Sequence, residues 1–559
     1  LHLRDGAFAL PCAPWRTDQV TGTILVASDG TRTQVVCDAL RGQLGHGDPA
    51  TGAAPFTVQG QLGPGSATTC DLVFTVDGLA LDAQLGATLE AEAILPEGLW
   101  QHLRPSGAID FVCRHERHPG RAPRTALDLQ LADAGSAAPL LPRPLSQLRG
   151  RVLAAEGVVS FAEVRGLLGS DRIQCEGGRI EAGTAQDPRT SITCTVRAPD
   201  VPIDAELGRL FPSPLGTAIA ARRPSGRAAI DGLRLAFRLP TQDGDGRAWP
   251  MSTEVSGSLR LRDVGVVLGS GPDAVAVREI NGLVEIEPSA ITDTGGALRC
   301  SIRRGAMRLF GQPLVAATAS ATVDAEQIVL QTLTAKLHEG ELSNGTQGAP
   351  ALRYLLPGSE HAEGRLSGDL HFRNIDLLAL LRECGWQKPP YKGLVSGRCA
   401  LDHLDGSDVA GAAASGQLTI DRGDLGEVPL FTAIYSQLPA PQRPRFDRLA
   451  ATFRLQAGRL QLNDLQLRSN LLAANGSGSL DLDGQLDIRL QLDNLLGPSA
   501  DPLLMPLVDL LTHGIVRFHL YGHLRQLQTE RRWLNEGAPP RRAAPPMPPN
   551  RKPPTILDS

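Results

Sequence analysis

The stretch that decides the fold runs from Phe453 to Leu492 and reads FRLQAGRLQLNDLQLRSNLLAANGSGSLDLDGQLDIRLQL. Apolar and polar residues alternate through most of it with a period of two, which is typical of half-buried β-strands. The alternating apolar positions are Phe453, Leu455, Leu460, Leu462, Leu465, Leu467, Leu480, Leu482, Leu486, Ile488, Leu490 and Leu492. The pattern predicts antiparallel strands with one aliphatic face and one polar face, the polar face carrying Asp481, Asp487, Arg489 and Gln491.

Asp483-Gly484 predicts a hairpin turn inside this stretch. The leucines stand at even positions on both arms of the hairpin. A two-residue loop would pair even with odd positions and separate the leucines onto opposite faces. We therefore predict a loop with an odd number of residues, most simply three.

The rest of the chain has the composition of an all-β protein. Hydrophobic residues make up 42% of its 559 residues, and the 60 glycines and 42 prolines are spread along the sequence, as frequent turns require. The 60 acidic residues slightly outnumber the 55 basic ones, which gives a formal net charge of -5. Because no basic excess is available to neutralise a phosphate backbone, nucleic acid is not an expected partner.

The nine cysteines are scattered and include no Cys-x-x-Cys pair. The sequence therefore predicts neither a zinc site nor a thioredoxin-like centre. Two interpretations stay open: the cysteines are small buried apolar residues of strands, or one or two disulfides form in an oxidising compartment.

A weak internal repetition runs through the N-terminal part. An apolar-x-Gly-x-apolar string recurs around Gly22, Gly150 and Gly282, and Arg-Pro-Ser-Gly occurs at residues 104–107 and 223–226, each time before a strand-like run. Duplication of a multi-strand unit would explain both recurrences. We therefore predict a repeated β-rich body over residues 1–357, with units near 15–145, 146–277 and 278–357.

Three short helices are predicted within the β pattern of a second module, which covers residues 358–530. Asp376 is placed to cap a helix from Leu377 to Cys384, and apolar helical stripes mark residues 428–438 and 503–511. Proline and basic residues dominate residues 531–559, which predicts a disordered tail.

The order of elements between about Gly364 and Gly522 resembles the C-terminal module of the bacterial AsmA-like family, whose members include AsmA and TamB. A Gly-led strand start at residues 364–370, the Asp376 helix and a second start at residues 393–397 open the pattern. The elements that complete it are a strand-to-helix step at residues 416–431, closing strands at 446–455, 458–467 and 476–492, the helix at 503–511 and a last strand at 516–522.

The resemblance implies a non-enzymatic protein of the bacterial cell envelope with an elongated, curled antiparallel sheet whose aliphatic inner face forms a lipid groove. Members of the family are usually anchored in the inner membrane and project into the periplasm. The implied partners are phospholipid or another envelope lipid, and the inner and possibly the outer membrane. No stretch approaches the roughly 20 apolar residues of a membrane span. The chain opens at Leu1, so we expect the anchor in a segment absent from it.

Physical reasoning agrees with a lipid groove. An exposed apolar sheet face promotes aggregation unless something apolar covers it, and acyl chains would do so. About 30 strands stacked at ~4.8 Å would give a groove of about 140 Å. The same strands could close into sandwiches with dry cores, which would favour a structural or assembly scaffold for outer-membrane biogenesis. The candidate groove residues are Phe453, Leu455, Leu480, Leu486, Ile488, Leu490 and Leu492.

No catalytic, cofactor or metal site is predicted. His115-Glu116-Arg117-His118 resembles a zincin helix, but its histidines are one residue too close and it reads as a charged loop. The segment 243–246 lacks most ligands of a calcium loop and predicts a polar hairpin turn. Since no cluster of carboxylates is evident, a β-rich hydrolase is the less favoured alternative.

Overall fold

The fold is mainly β: 71% of the residues that the structure describes lie in strands and 8% in helices, and a long curled antiparallel sheet dominates it. The fold class predicted from the sequence is confirmed. The computed structural model describes residues 1–10, 13–28, 33–45, 54–63, 69–122, 124–242, 246–268, 274–345, 352–357, 364–387, 389, 391–406, 408–424, 446–469, 472–494, 516–523 and 526–533. The chain divides into two compact units.

The first unit comprises Leu1–Pro389, Leu394–Gln417 and Leu455–Gly458. The strands of its N-terminal half are β1 (His2–Leu10), β2 (Ala13–Ser28), β3 (Thr33–Gly45), β4 (Ala54–Gly63), β5 (Thr69–Ala80), β6 (Pro105–Ser106), β7 (Ala108–Arg117), β8 (Arg124–Ser136), β9 (Leu145–Ala155), β10 (Val158–Leu168), β11 (Asp171–Glu181), β12 (Ser191–Pro202) and β13 (Ser225–Arg238).

The described strands that follow are β14 (Thr241–Gln242), β15 (Ala248–Trp249), β16 (Ser252–Leu268), β17 (Val275–Thr292), β18 (Gly295–Gly296), β19 (Leu298–Leu309), β20 (Gln312–Val323), β21 (Gln327–Leu337), β22 (Gly340–Ser343), β23 (Leu352–Leu355), β24 (Arg365–Asp376) and β25 (Lys392–Asp405). The helices are α1 (Ala83–Ala91), α2 (Leu99–Leu103), a 3₁₀-helix (Ala205–Leu210), α3 (Leu215–Ala221) and α4 (Leu377–Glu383). Successive long strands pair antiparallel, so the sheet is a meander.

A recurrent β-bulge crosses this meander. In many strands one non-glycine residue adopts the left-handed conformation, and the register shifts beside it. A bulge bends its strand and increases the local twist, so bulges on neighbouring strands curl a sheet. These residues are Asp5, Gln19, Ala39, Gln147, Glu163, Asp263, Glu279, Arg304, Ala316 and Asn374.

The bulges also direct apolar side chains inward. The residue after the left-handed one is buried in several strands, as at Val20, Leu40 and Val264. Side chains alternate between faces along a strand, so an inserted residue switches which face the following residues occupy. The face that carries the buried residues is called the inner face below, and the opposite one the outer face.

The bulges explain why glycine recurs in the apolar-x-Gly-x-apolar strings. Gly150 has φ +147°, and a Cβ there would stand 3.0 Å from the Cα of Val164, the residue after the bulge of β10. Gly22 and Gly282 have φ +144° and +151°, and a Cβ on either would approach another backbone Cα to 3.0 Å. Each string therefore marks a point where one strand passes close to the bulge of its neighbour.

Two helical insertions interrupt the meander and are built alike. Asp82 accepts a hydrogen bond from the N–H of Leu85 at the start of α1, and Asp204 accepts one from the N–H of Glu206 at the start of the 3₁₀-helix. Each insertion ends at an Arg-Pro-Ser-Gly string: β7 begins directly after the first string, and β13 begins within the second, at Ser225. The strand runs predicted after these strings are confirmed.

The largest core of the first unit lies on the inner face of its N-terminal strands. Val20, Leu44 and Val76 are fully buried there, and the helices α1 and α2 add Leu85 and Leu99. Smaller clusters follow further along the sheet, for example around Leu314 and Ala317. The inner face is therefore a dry core where helices cover it.

The second unit comprises Pro390–Gly393, Leu418–Arg454 and Arg459–Ser559. Its continuous ladder consists of β28 (Arg459–Ser469), β29 (Leu472–Asp481), β30 (Gln485–Asn494), β31 (Val516–His523) and β32 (Gln526–Trp533), each paired antiparallel with the next. Strands β25, β26 (Ala413–Asp424) and β27 (Phe446–Gln456) include residues of both units.

Most local predictions for residues 358–533 agree with these elements. Asp376 caps α4 by accepting hydrogen bonds from the N–H groups of Leu378 and Ala379, as predicted. The helices predicted at 428–438 and 503–511 lie outside the described residues. Strand β32 continues to Trp533, three residues into the segment predicted as a tail, and residues 534–559 also lie outside the described part.

The close approach at Gly150 makes a stability prediction. We expect Gly150→Ala to lower the free energy of unfolding by about 2 to 3 kcal/mol, because the new Cβ meets the backbone of Val164 and φ is unfavourable. Gly232 is the control, since it has φ +70° but an added Cβ would meet no atom within 4 Å. Gly232→Ala should lower the free energy of unfolding by only about 1 kcal/mol. Denaturant titration measures both, and equal losses would contradict the role given to Gly150.

Candidate functional site

An apolar cavity of about 390 Å³ lies on the inner face of the first unit. Strands β8 to β13 form its floor, while Leu103 of α2, the segment 138–145 and the 3₁₀-helix contribute the remaining walls. Its lining side chains are nearly all apolar, with Phe161, Leu235 and Phe237 among the largest. The volume falls in the range of about 300 to 1,000 Å³ that is usual for small-molecule sites.

The strand register explains why the lining is apolar. Directly opposite residues of an antiparallel pair point to the same face, and three such pairs join β12 to β13. These pairs are Ile192 with Phe237, Cys194 with Leu235, and Val196 with Leu233. Alternation along each strand then sends the intervening polar residues to the outer face.

Two charged residues, Arg143 and Asp204, also line the cavity. Arg143 forms an ion pair with Asp204 and stands 3.8 Å from Asp171. Asp171 in turn pairs with Arg227 at 2.6 Å, and Arg227 also donates to Asp200 at 2.6 Å. This network, which we call the rim network, ties the segment before β9 and the 3₁₀-helix to the ends of β11, β12 and β13.

Two cysteine thiols also line the cavity, on neighbouring strands. The Cys194 thiol, by hydrogen bonding to Cys175, lowers the pKa of Cys175, and the same contact raises the pKa of Cys194. Burial raises the pKa of Cys194 further. Both cysteines are free thiols, so the disulfide interpretation does not hold for this pair in the structure.

The chemistry of this lining suits binding through the hydrophobic effect. A hydrocarbon chain placed there gains about 0.8 kcal/mol for each methylene removed from water. The rim network supplies charged partners for a polar end group at one side of the cavity. The arrangement can therefore hold an amphiphile with its apolar part inside.

The groove residues predicted from the sequence lie elsewhere, on β27 to β30. Leu480 stands opposite Leu486, and the loop between them contains the three residues Leu482, Asp483 and Gly484, as predicted. Ile488 and Leu490 follow on the same face, opposite Gly478 and Gly476. Leu482 was expected within the alternation but lies in the loop, where 52% of it is exposed.

A bulge at Asp464 extends this aliphatic face across β28. Leu460 and Leu462 stand at even positions, whereas Leu465 and Leu467 stand at odd ones, yet their partners on β29 are all even. The extra residue is Asp464, with φ +49°. It compensates for the change from even to odd positions, so the leucines on either side of it stay on one face. All four leucines therefore share the face of Leu480 and Leu486.

The predicted groove residues differ in exposure. Phe453, Leu455, Leu480, Leu486 and Ile488 are half-buried, whereas Leu490 is 3% exposed and belongs to a packed core. Leu492 pairs with Ala474 through the backbone, and its side chain lies outside the described residues. The aliphatic face is as predicted, and its use as a lipid groove stays a prediction.

Sequence reasoning missed the cavity of the first unit. Its signal was present in short alternating runs such as Ile192, Cys194 and Val196, and in Leu233, Leu235 and Phe237. What the sequence lacked was the closure by the segment 138–145 and the 3₁₀-helix, which arrives from distant positions in the chain.

The segment that resembled a zincin motif is not a loop. His115, Glu116 and Arg117 end strand β7, and the His115 ring lies 2.9 Å from the Thr125 hydroxyl on β8. Strand pairing extends to Glu116 on the β8 side and to Arg117 on the β5 side, which is why the charged residues take an extended backbone. Residues 243–245 lie outside the described part, and the antiparallel pair β14 and β15 flanks them.

Metal-ligand clusters and membrane-spanning helices are both absent from the part of the chain that the structure describes. None of its His, Cys, Asp and Glu side chains form a group of three or more that could hold a metal ion. None of its helices has both the length and the apolar character needed to cross a bilayer.

Known families, curated proteins and solved structures were each compared with the chain, and none of the three comparisons finds a match. The resemblance of residues 364–522 to AsmA-like proteins therefore remains a hypothesis.

The thiol pair predicts a measurable reactivity. We expect Cys175 to react with iodoacetamide at neutral pH faster than Cys300, because burial raises the pKa of Cys300 while Cys194 lowers that of Cys175. Cys194→Ala should slow the reaction of Cys175 and move the pH dependence of that reaction to higher pH. Cys194→Ser keeps a hydrogen-bond donor and should preserve both the rate and its pH dependence. Peptide mass spectrometry follows each site, and indistinguishable profiles for the Ala and Ser variants would contradict the hydrogen bond.

Proposed function

We propose that this protein binds the acyl chains of a lipid in the inner-face cavity of its curled sheet. The observation that carries the proposal is the cavity of about 390 Å³ with a nearly continuous apolar lining. A polar metabolite would lose its hydration there without gaining matching hydrogen bonds, whereas a hydrocarbon chain loses nothing by leaving water. The binding of apolar chains therefore fits this cavity better than the binding of a polar substrate.

The wider proposal is a non-enzymatic envelope protein that shields acyl chains while lipid moves between membranes. Its support is the resemblance of residues 364–522 to AsmA-like proteins, together with the aliphatic face of β28 to β30. Under this proposal the partners are phospholipid or another envelope lipid and the bacterial inner and outer membranes, and the protein works in the periplasm.

A scaffold role in outer-membrane biogenesis is the second candidate. The observation that favours it is the dry core between the N-terminal strands and the helices α1 and α2, where Leu85 and Leu99 are buried against the sheet. That part of the inner face is already covered by the chain itself. A scaffold would need rigid, covered strands and would have no use for a cavity.

A substitution that fills the cavity distinguishes acyl-chain binding from the scaffold role. Leu168 lines it from β10, and its neighbour Leu167 points to the outer face. We expect Leu168→Trp to occupy the space and to weaken the binding of a fluorescent fatty acid by about tenfold, since roughly two methylenes of burial amount to that factor. Leu167→Trp adds the same ring on the other face and should bind like the parent protein.

Titration of the fatty acid into each variant, with circular dichroism and thermal unfolding as checks of folding, gives the answer. A parent protein that does not bind the fatty acid would refute acyl binding and leave the scaffold role. Equal binding by a folded Leu168→Trp variant and the parent would show that this cavity is not the site.

A further inference from the structure

Arginine side chains form a row on the outer face of the strands that carry the cavity. Arg149 of β9 stands directly opposite Arg165 of β10, Arg165 stands opposite Gln174 of β11, and Gln174 stands opposite Arg197 of β12. Arg172 lies two residues from Gln174 on the same strand, and therefore on the same face. All four arginines are exposed.

The row lines a groove of about 960 Å³. Small residues, including Gly150, Gly166 and Ala198, lie between the arginines and leave the space open. Three strand spacings separate Arg149 from Arg197, which is about 14 Å. Arg149 and Arg165 stand only one strand spacing apart, about 4.8 Å, so their guanidinium groups can reach one ligand.

The arginines differ in their partners. Arg197 is neutralised by Glu176 at 2.7 Å and by Asp231 at 3.1 Å. Among the described residues, Arg149, Arg165 and Arg172 have no ion pair and no side-chain hydrogen bond. The acidic residues that line the groove are Glu163 and Asp231, and Asp231 already forms an ion pair with Arg197. Three unpaired cations thus face one unpaired carboxylate, in a chain whose formal net charge is -5.

The direct opposition of Arg149 and Arg165 is unfavourable in the absence of an anion. Like charges placed opposite each other on paired strands destabilise a sheet. The left-handed bulge residues Gln147 and Glu163 shift the register beside them, and bulges re-aim side chains near binding sites. An anion between the two guanidinium groups would turn the repulsion into two charge-assisted contacts.

We propose that Arg149, Arg165 and Arg172 form a binding site for a phosphate group on the outer face of the sheet. Guanidinium groups match the geometry of phosphate oxygens and hold them by paired hydrogen bonds. The phosphate belongs either to a lipid headgroup or to a free anion, and the chemistry of recognition is the same. The site does not rest on the acyl-binding proposal, because it lies on the opposite face from the cavity.

The test uses the full chain and two probes. Inorganic phosphate is titrated by calorimetry, and vesicles are sedimented with the protein, made either of phosphatidylcholine or of equimolar phosphatidylcholine and phosphatidylglycerol. Arg165→Gln is expected to weaken binding by about tenfold, since it removes a charge-assisted contact. Added salt should weaken binding by the parent protein, as for any exposed ionic contact.

Arg151→Gln is the matched control. Arg151 lies two residues from Arg149 on the same strand and face, but it is paired with Asp128 at 2.6 Å, so the variant removes one positive charge without touching the groove. Arg165→Gln should also unfold at the same or a higher temperature than the parent without anion, because it removes a repulsion. That result separates loss of a ligand contact from loss of folding.

Binding of phosphate, lost in Arg165→Gln and kept in Arg151→Gln, supports a site for free anions and headgroups alike. Binding only to vesicles that contain phosphatidylglycerol, with the same pattern among variants, supports a site for headgroups. Absence of binding to both probes, or equal weakening by the two substitutions, would overturn the proposal.

Discussion

The extra residue inserted into strand after strand is the constraint on which the first unit depends. A flat meander would present its apolar side chains as an open sheet, whereas strands bent at successive bulges curl and turn those side chains toward one another. Each bulge keeps a non-glycine residue in the left-handed region, which is unfavourable by about 1 to 3 kcal/mol unless the surroundings compensate. Burial of the residue that follows, such as Val20 or Val264, supplies that compensation.

The curl gives the two faces of a single layer of strands different surroundings. On the inner face the side chains of β8 to β13 converge, and the segment 138–145 with the 3₁₀-helix closes them into a cavity. On the outer face of the same strands the arginines at 149, 165 and 172 stand in the open around a floor of small residues. Strand alternation alone separates these environments, so a one-residue slip of register would exchange them. Bulges at Gln147 and Glu163 are therefore part of both sites.

Period-two alternation predicted much of this fold because each strand pairs with its neighbour and obeys a local rule. The odd length of the loop between β29 and β30 followed from parity, with three residues as its simplest value, and the Asp376 cap followed from the helix-start pattern. The bulges were not foreseen, since residues as different as Gln19, Ala39 and Arg304 occupy the left-handed position. The conformation there is imposed by the neighbouring strand and not by the residue type.

The candidate site was less predictable than the fold for a related reason. The alternating leucines of β28 to β30 gave the strongest sequence signal. Such an alternation shows that a strand has an apolar face, but it does not show what covers that face. The cavity depends on whether distant segments close over such a face, as Leu103, Arg143 and Leu210 do. Those contacts join parts of the chain that no local pattern connects.

Occupation of the inner-face cavity by an acyl chain can be observed directly. The measurement is the anomalous diffraction of crystals grown with a fatty acid brominated along its chain. We expect bromine peaks inside the cavity, beside Phe161, Cys194 and Leu235. An empty cavity at saturating fatty acid, or bromine peaks confined to the outer face, would contradict acyl binding at this site.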